Sequence, residues 1–252
     1  MAFSVSARRL GALALVGGAA AAAACSSDPD VRGLTAPAAS NAPFLVRYVA
    51  LGNSITAGWQ SSGINDSTQR ASYANLLARA AGVRFAYPSL LNPGCPPPLT
   101  NLLAGTRVGG GAAADCPGRN GGTDLLNNVA VPGANSFDPT GLGVFPASGN
   151  PVAGSSGGYG VLTRVILGNL TQVQKAVQAN PTFASVWIGN NDVLSFAISG
   201  TTTGVTALNT FVANYAATVN QLVAGSPGLQ AGTRGTTARG VLIGVVDVTN
   251  TP

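Results

Sequence analysis

With 252 residues, 46% of them hydrophobic, the chain has the material for one α/β domain or two small ones around a sizeable core. Only 8% of residues are charged, against roughly 25% in an average soluble domain. The 34 glycines and 16 prolines come to about 20% of the chain, short of the roughly 25–30% that marks disorder. A folded, loop-rich protein with a weakly charged surface is expected. The sequence holds no His and no Glu. That excludes imidazole metal sites, Glu general bases and a complete Ser-His-Asp triad within these residues.

The net charge of +5 is almost all Arg, Lys175 being the one lysine. Setting aside Arg8 and Arg9 of the leader leaves eleven cations against eight carboxylates. The cations are scattered, whereas nucleic-acid binding needs a clustered basic patch, so no nucleic-acid partner is expected.

Residues 1–24 read as a signal peptide. Arg8 and Arg9 precede an apolar run, Leu10 to Ala24, of fifteen residues. That is shorter than the roughly 20 needed to span a bilayer and fits a secretory h-region. Ala22-Ala23-Ala24-Cys25 resembles a bacterial lipobox, with Ala22 where Leu is usual, and implies that Cys25 becomes a lipidated first residue. The plainer alternative is an ordinary signal peptide with a chance Cys. Residues 25–43 continue as a small, polar, Pro-containing linker. The expectation is an exported protein, lipid-anchored to a bacterial membrane on its periplasmic or cell-surface face.

Residues 44–252 form the folded part. Phe44–Gly52 reads as a buried strand. Tyr73, Leu76, Leu77 and Ala80 recur at helical spacing, with Gly82 as the stop. Residues 88–124 are Gly- and Pro-rich and aperiodic. Within them stand Cys95 and Cys116, which export into an oxidising compartment favours as a disulfide; a reactive or metal-binding thiol is the alternative. Asn128–Val131 is a short apolar segment before Pro132-Gly133. A second aperiodic stretch, 134–160, contains Phe137, Phe145 and Tyr159, candidates for the mouth of a site. Leu162, Val165, Ile166, Leu170, Val173 and Val177 make one long helical stripe. Phe183–Ile188 is a buried strand, Leu208 to Leu222 another helical stripe, and Gly240–Val248 a near-continuous apolar strand. Doubly apolar strands alternating with amphipathic helices predict a parallel sheet covered on both faces. A fresh strand with no helix after it looks unfinished.

Ligands of such sheets bind beyond the carboxyl ends of the strands. Three polar clusters fall there: Gly52-Asn53-Ser54, Pro132-Gly133-Ala134-Asn135 and Gly189-Asn190-Asn191-Asp192. They offer a hydroxyl, a backbone N–H that glycine leaves open to close approach and a side-chain amide. Those are the parts of an acyl-transfer site. Read singly, Ser54 is also a fair helix N-cap, Gly133 a turn glycine and Asn191 a turn residue. Asp192 reads as a carboxylate that locks its loop by accepting backbone N–H bonds. Trp59 and Trp187 read as core or rim packing, with substrate platforms as the alternative.

The blocks VALGNSITAGWQSSGI, NNVAVPGANSFD and WIGNNDVL resemble, in order, those of the GDSL or SGNH hydrolases. The resemblance implies a three-layer α/β/α, flavodoxin-like parallel sheet. It also implies Ser54 as nucleophile, with Gly133 and Asn191 as oxyanion donors. Asn53 stands where the family name has Asp. The sequence GNSIT lacks the Gly-x-Ser-x-Gly elbow of the other common serine-hydrolase fold. The family's closing Asp-x-x-His block is missing: Asp247 is followed three residues later by Asn250. The chain is therefore expected to be the N-terminal part of a carboxyl-ester hydrolase whose Asp and His lie beyond residue 252. A non-catalytic ester- or glycan-binding lipoprotein of the same fold is the alternative. No cofactor or metal is implied; the expected partners are an ester of a small molecule, lipid or acylated sugar, and the membrane through the anchor.

If Cys25 carries the anchor, Cys25→Ser should move the protein from the membrane to the soluble fraction. Unchanged membrane association, with the leader intact by mass spectrometry, would contradict it.

Overall fold

A computed structural model describes residues 43–121, 125–141, 161–168, 170–201, 205–230 and 239–245. The leader, Cys25, Phe145, Tyr159, Asp247 and Asn250 lie outside the described residues. In chain order the elements are β1 (Tyr48–Gly52), α1 (Ser54–Ala57), α2 (Asp66–Arg70), α3 (Tyr73–Ala80), β2 (Leu99–Asn101) and β3 (Thr106–Arg107). They continue with α4 (Val161–Leu167), α5 (Gln172–Gln178), β4 (Phe183–Trp187), α6 (Leu194–Ser199), α7 (Leu208–Ala224), α8 (Pro227–Gln230) and β5 (Gly240–Ile243).

β1 is buried at all five positions. Successive side chains of a strand point to opposite faces, so such a strand must be covered on both sides. Val49 and Leu51 enter a core completed by Ile166 and Leu167 of α4, Val173 and Ala176 of α5, and Leu222 of α7. Tyr48 and Ala50 enter a second core against Ala74 and Ala78 of α3. β4 divides in the same way, Ala184 and Val186 joining the first core and Phe183 packing on the second. The result is the helix–sheet–helix layering expected from the sequence.

β1 runs parallel to β4, Tyr48 opposite Phe183 and Gly52 opposite Trp187. β4 runs parallel to β5, Ala184 opposite Gly240. On the far side of β1 the 127–131 segment adds a parallel bridge at Asn128. There Ala50 N–H donates to Asn127 O at 2.7 Å, and Val129 N–H to Ala50 O at 3.0 Å. All three polar clusters therefore emerge at the same end of the sheet.

Several expectations shift. The first strand starts at Tyr48, not Phe44, because Pro43–Leu45 forms a single 3-10 turn. The 162–177 stripe is two helices. The chain leaves α4 at Gly168 (φ +67°), and Thr171 and Gln174 form a reciprocal capping box that starts α5. On α3 the inward face is Ala74 and Ala78, while Leu76 and Leu77 are exposed; only small side chains leave room beside Tyr48. On α7 Leu208 and Val212 are exposed and Thr218 and Leu222 buried. β5 is not a buried strand: Val241 and Leu242 are 41% and 56% exposed. It pairs with β4 on one side and, among the described residues, with no strand on the other.

The aperiodic 88–120 stretch contains the antiparallel β2–β3 hairpin. Cys95 and Cys116 are joined in a disulfide, Cα atoms 4.1 Å apart. The loop is stapled to the 61–64 segment by Ile64 N–H to Pro96 O (2.9 Å), Cys95 N–H to Ile64 O (2.8 Å) and Leu99 N–H to Ser61 O (2.8 Å).

Asp66 opens α2, its Oδ1 accepting from Tyr87 Oη (2.9 Å) and Ser89 Oγ (2.6 Å). Its Oδ2 lies 2.8 Å from Arg70. Burial pushes this carboxyl up, but the Ser89 and Tyr87 hydrogen bonds and the Arg70 charge outweigh it and hold it below its ordinary value. A depressed folded value makes the contribution full above the unfolded pKa of about 3.9 and lost as pH falls through the lower folded value. Asp66→Asn should therefore lower stability at pH 6 and flatten its fall below pH 4. Urea midpoints between pH 2 and 6 check this; parallel curves for the two proteins would refute it.

Candidate active site

The site begins at the last residue of β1. A Cβ on Gly52 would overlap Thr56 Oγ1 and the Trp187 carbonyl oxygen, so only glycine fits where β1 turns into α1 against β4. Gly52 is held at both ends. Its N–H donates to Gln172 Oε1 at 2.9 Å, and its carbonyl accepts from Gln172 Nε2 at 3.0 Å and from Val131 N–H at 3.1 Å. Gln172, at the start of α5, is fully buried.

Asn53, also fully buried, caps α1 by accepting the Ile55 N–H on Oδ1 at 3.2 Å. The capping role open to Ser54 in the sequence thus belongs to its neighbour, and the amide does there what a carboxylate could do. Ser54 is the first residue of α1 and half-buried. Beneath it a chain of buried hydroxyls runs from Thr56 Oγ1 to Tyr73 Oη (3.2 Å), Ser185 Oγ (3.3 Å) and Tyr48 Oη (2.7 Å). Burial raises both tyrosines above their ordinary pKa, which keeps them neutral hydrogen-bonding groups at the base of the turn.

Gly133 lies in the turn Val131–Ala134, closed by Ala134 N–H to Val131 O at 3.2 Å. Pro132 at the second position and Gly133 (φ +87°) at the third fit a type II turn. Neither the Ser54 nor the Gly133 N–H has a hydrogen-bond partner among the described residues. Asn191 sits in the 3-10 turn after β4 and donates from Nδ2 to Ala134 O at 2.8 Å. An amide nitrogen carries two hydrogens, so this bond fixes the group and leaves the second hydrogen to donate. Asp192 accepts Ser136 N–H on Oδ2 (2.8 Å) and Ser136 Oγ–H on Oδ1 (2.6 Å), so it ties the β4 loop to the Gly133 loop.

Ser54 and Gly133 line one cavity of about 520 Å³. Its other walls include Trp59, the Cys95–Cys116 pair, Pro96, Pro132, Val161 and Leu162. Trp59 packs beside the core of Ala57, Ile64, Leu90, Cys95 and Ala130 and also faces this cavity, a place at the rim that fits the reading of its sequence. Trp187 packs on Tyr73 with ring centroids 5.4 Å apart. Phe137 stays in its own loop, close to Gly141, and is not part of the cavity wall. Lys175 is buried on α5. Among the described residues no three His, Cys, Asp or Glu side chains cluster as a metal would need, and no helix is long and apolar enough to cross a membrane.

Sequence reasoning missed Gln172. A polar residue just past a helix cap reads as surface, and nothing in the chain ties it to Gly52, 120 residues away.

A parallel α/β sheet with a serine on the turn after its first strand, and two N–H groups without partners among the described residues at the same cavity, sets side by side a hydroxyl and donors of the kind that acyl transfer uses. The sequence pattern of the GDSL-like Lipase/Acylhydrolase family matches residues 48–252, and the chain belongs to that family. Searches of curated proteins and of solved structures found no match.

Gln172→Leu leaves the buried Gly52 N–H without its acceptor, at a cost of about 1–3 kcal/mol. Urea unfolding should show a lower midpoint with unchanged slope; an unchanged midpoint would contradict the clamp.

Proposed function

We infer that this chain is a serine hydrolase of carboxylic esters, working through an acyl-enzyme on Ser54. The observation that carries the reading is one cavity lined by Ser54 and Gly133, whose backbone N–H groups have no hydrogen-bond partner among the described residues, with Asn191 Nδ2 of the β4 loop bonded to Ala134 O next to Gly133. Ser54 Oγ attacks the ester carbonyl. The Ser54 and Gly133 N–H groups and the Asn191 amide take the charge that develops on the carbonyl oxygen, where prearranged donors act most strongly. Attack by a serine hydroxyl needs a base, and these 252 residues hold no His. The buried Lys175 and the loop-bonded Asp192 are poor substitutes. The base and the group that orients it are therefore assigned to residues that these 252 do not include.

The same reading makes the protein an exported one, anchored by lipid on Cys25. It is supported by the basic n-region, the apolar run and the small residues before that cysteine. The lack of His also favours a second reading, an ester-binding lipoprotein without turnover.

The test is to express this span and a version extended to the next stop codon, and to assay both on a short-chain nitrophenyl ester. The extended protein should turn over, lose all activity in Ser54→Ala and lose about 10²–10³-fold in Asn191→Ala. The 252-residue span should be inactive. Comparable Ser54-dependent rates from both would refute the assignment of the base, and full activity in Ser54→Ala would refute the nucleophile. No turnover from either protein would select the binding reading.

A further inference from the structure

The β2–β3 hairpin stands out from the domain. Every residue from Thr100 to Thr106 is exposed, and at its tip Leu102 and Leu103 are 78% and 99% exposed. The tip is nonetheless firmly built. Asn101 Oδ1 accepts the Ala104 N–H at 2.9 Å, and the Thr100 and Thr106 hydroxyls pair at 3.0 Å. At the base Arg107 donates to Ser62 O and Pro97 O, and Val108 N–H to Pro98 O at 2.9 Å. Two adjacent leucines are thus held out in water, an arrangement that burial of both would relieve.

The surroundings indicate what buries them. Two leucines offer far less than the roughly 800 Å² that each partner gives a stable protein interface; a protruding tip of that size fits a fluid better than a shaped surface. Residues 67–114 hold no Asp or Glu, and the only charge of the hairpin is Arg107 at its base. An uncharged tip can enter the acyl region of a bilayer, Thr100, Asn101 and Thr106 behind it suit the headgroup layer, and no carboxylate of this stretch repels an anionic surface. Pro43 stands eighteen positions after Cys25. That length reaches up to about 60 Å, more than the roughly 40 Å across a domain of this size. A tether of that reach lets any side of the domain face the membrane, so a second contact is needed to select one.

We propose that the Leu102-Leu103 tip inserts into the lipid bilayer and fixes which side of the domain faces it. The proposal rests on the Cys25 reading only for bringing a bilayer within reach. Pro96 lines the Ser54 cavity and precedes Leu102 by six residues, so insertion holds that cavity wall within about 20 Å of the inserted tip.

The experiment mixes the full chain with vesicles of phosphatidylcholine and phosphatidylglycerol, with or without bromine on the acyl chains to quench any tryptophan that meets them. Leu103→Trp reports on the tip and Leu208→Trp, on an exposed position of α7, on the domain at large. Each is read as the difference from the parent chain, which carries Trp59 and Trp187. Both positions are exposed, so folding is not at stake. The emission added by Leu103→Trp should shift to the blue and fall to about half or less on brominated lipid, while that added by Leu208→Trp stays unchanged. Adding Leu102→Asp should restore the Leu103→Trp emission. Cosedimentation with the vesicles, read in parallel, separates the two readings. A chain that joins the vesicles with position 103 unquenched overturns the proposal and leaves the Cys25 anchor standing. Quenching at 103 that persists in Cys25→Ser supports the tip independently of the anchor. A chain that joins no vesicles, or equal quenching at 103 and 208, would overturn it. So would a dimer in vesicle-free sedimentation that Leu103→Asp dissociates, which assigns the tip to a second copy.

Discussion

The absence of room at Gly52 shapes the whole site. β1 is buried on both faces, so it can end only by turning sharply against β4. The turn brings its last residue against Thr56 and the Trp187 backbone, where a Cβ does not fit. The peptide groups at that point are buried, and burial without partners would cost several kcal/mol. Gln172 supplies both a donor and an acceptor, and Val131 adds a second donor. The turn that presents Ser54 is thereby tied to α5 and to the Pro132-Gly133 loop.

The other loops around the site are each fixed by a carboxylate. Asp192 takes the N–H and hydroxyl of Ser136, Asp138 takes the Asn135 N–H at 2.7 Å, and Asp115 takes the Ala112 N–H. Each lies in a segment with little apolar content, where side-chain packing cannot set the backbone. Charge-assisted bonds to backbone N–H groups are stronger than neutral ones. A weakly charged protein here places its carboxylates where loops need shape. The disulfide serves the same end on the cavity's far wall, and the result is a rigid rim around a largely apolar hollow.

Much of this was legible in one dimension. The doubly apolar runs around Tyr48–Gly52 and Phe183–Trp187 required a covered parallel sheet. Gly52-Asn53-Ser54, Pro132-Gly133 and Gly189-Asn190-Asn191-Asp192 stood where such a sheet binds ligands. Less legible were helix faces and strand ends. Apolar spacing cannot show that Ala74 and Ala78 lie inward while Leu76 and Leu77 face solvent, because the choice depends on the size of Tyr48 across the interface. Nor does it show that Gly168 and the Thr171 cap divide a single stripe, since the period continues across the break.

The sequence by itself determined the layer architecture, the serine and its companion loops, and the lack of any imidazole base among these residues. Those follow from local pattern and composition, which need no partner to be read. Tertiary structure alone decided that Asn53, not Ser54, caps α1, which leaves the serine facing the cavity. It also decided that Gln172 holds Gly52, that Trp59 turns one face to the cavity, and that a Gly- and Pro-rich loop becomes its wall. Each of these depends on two segments far apart in the chain meeting at hydrogen-bond or van der Waals distance, and no periodicity records such a meeting.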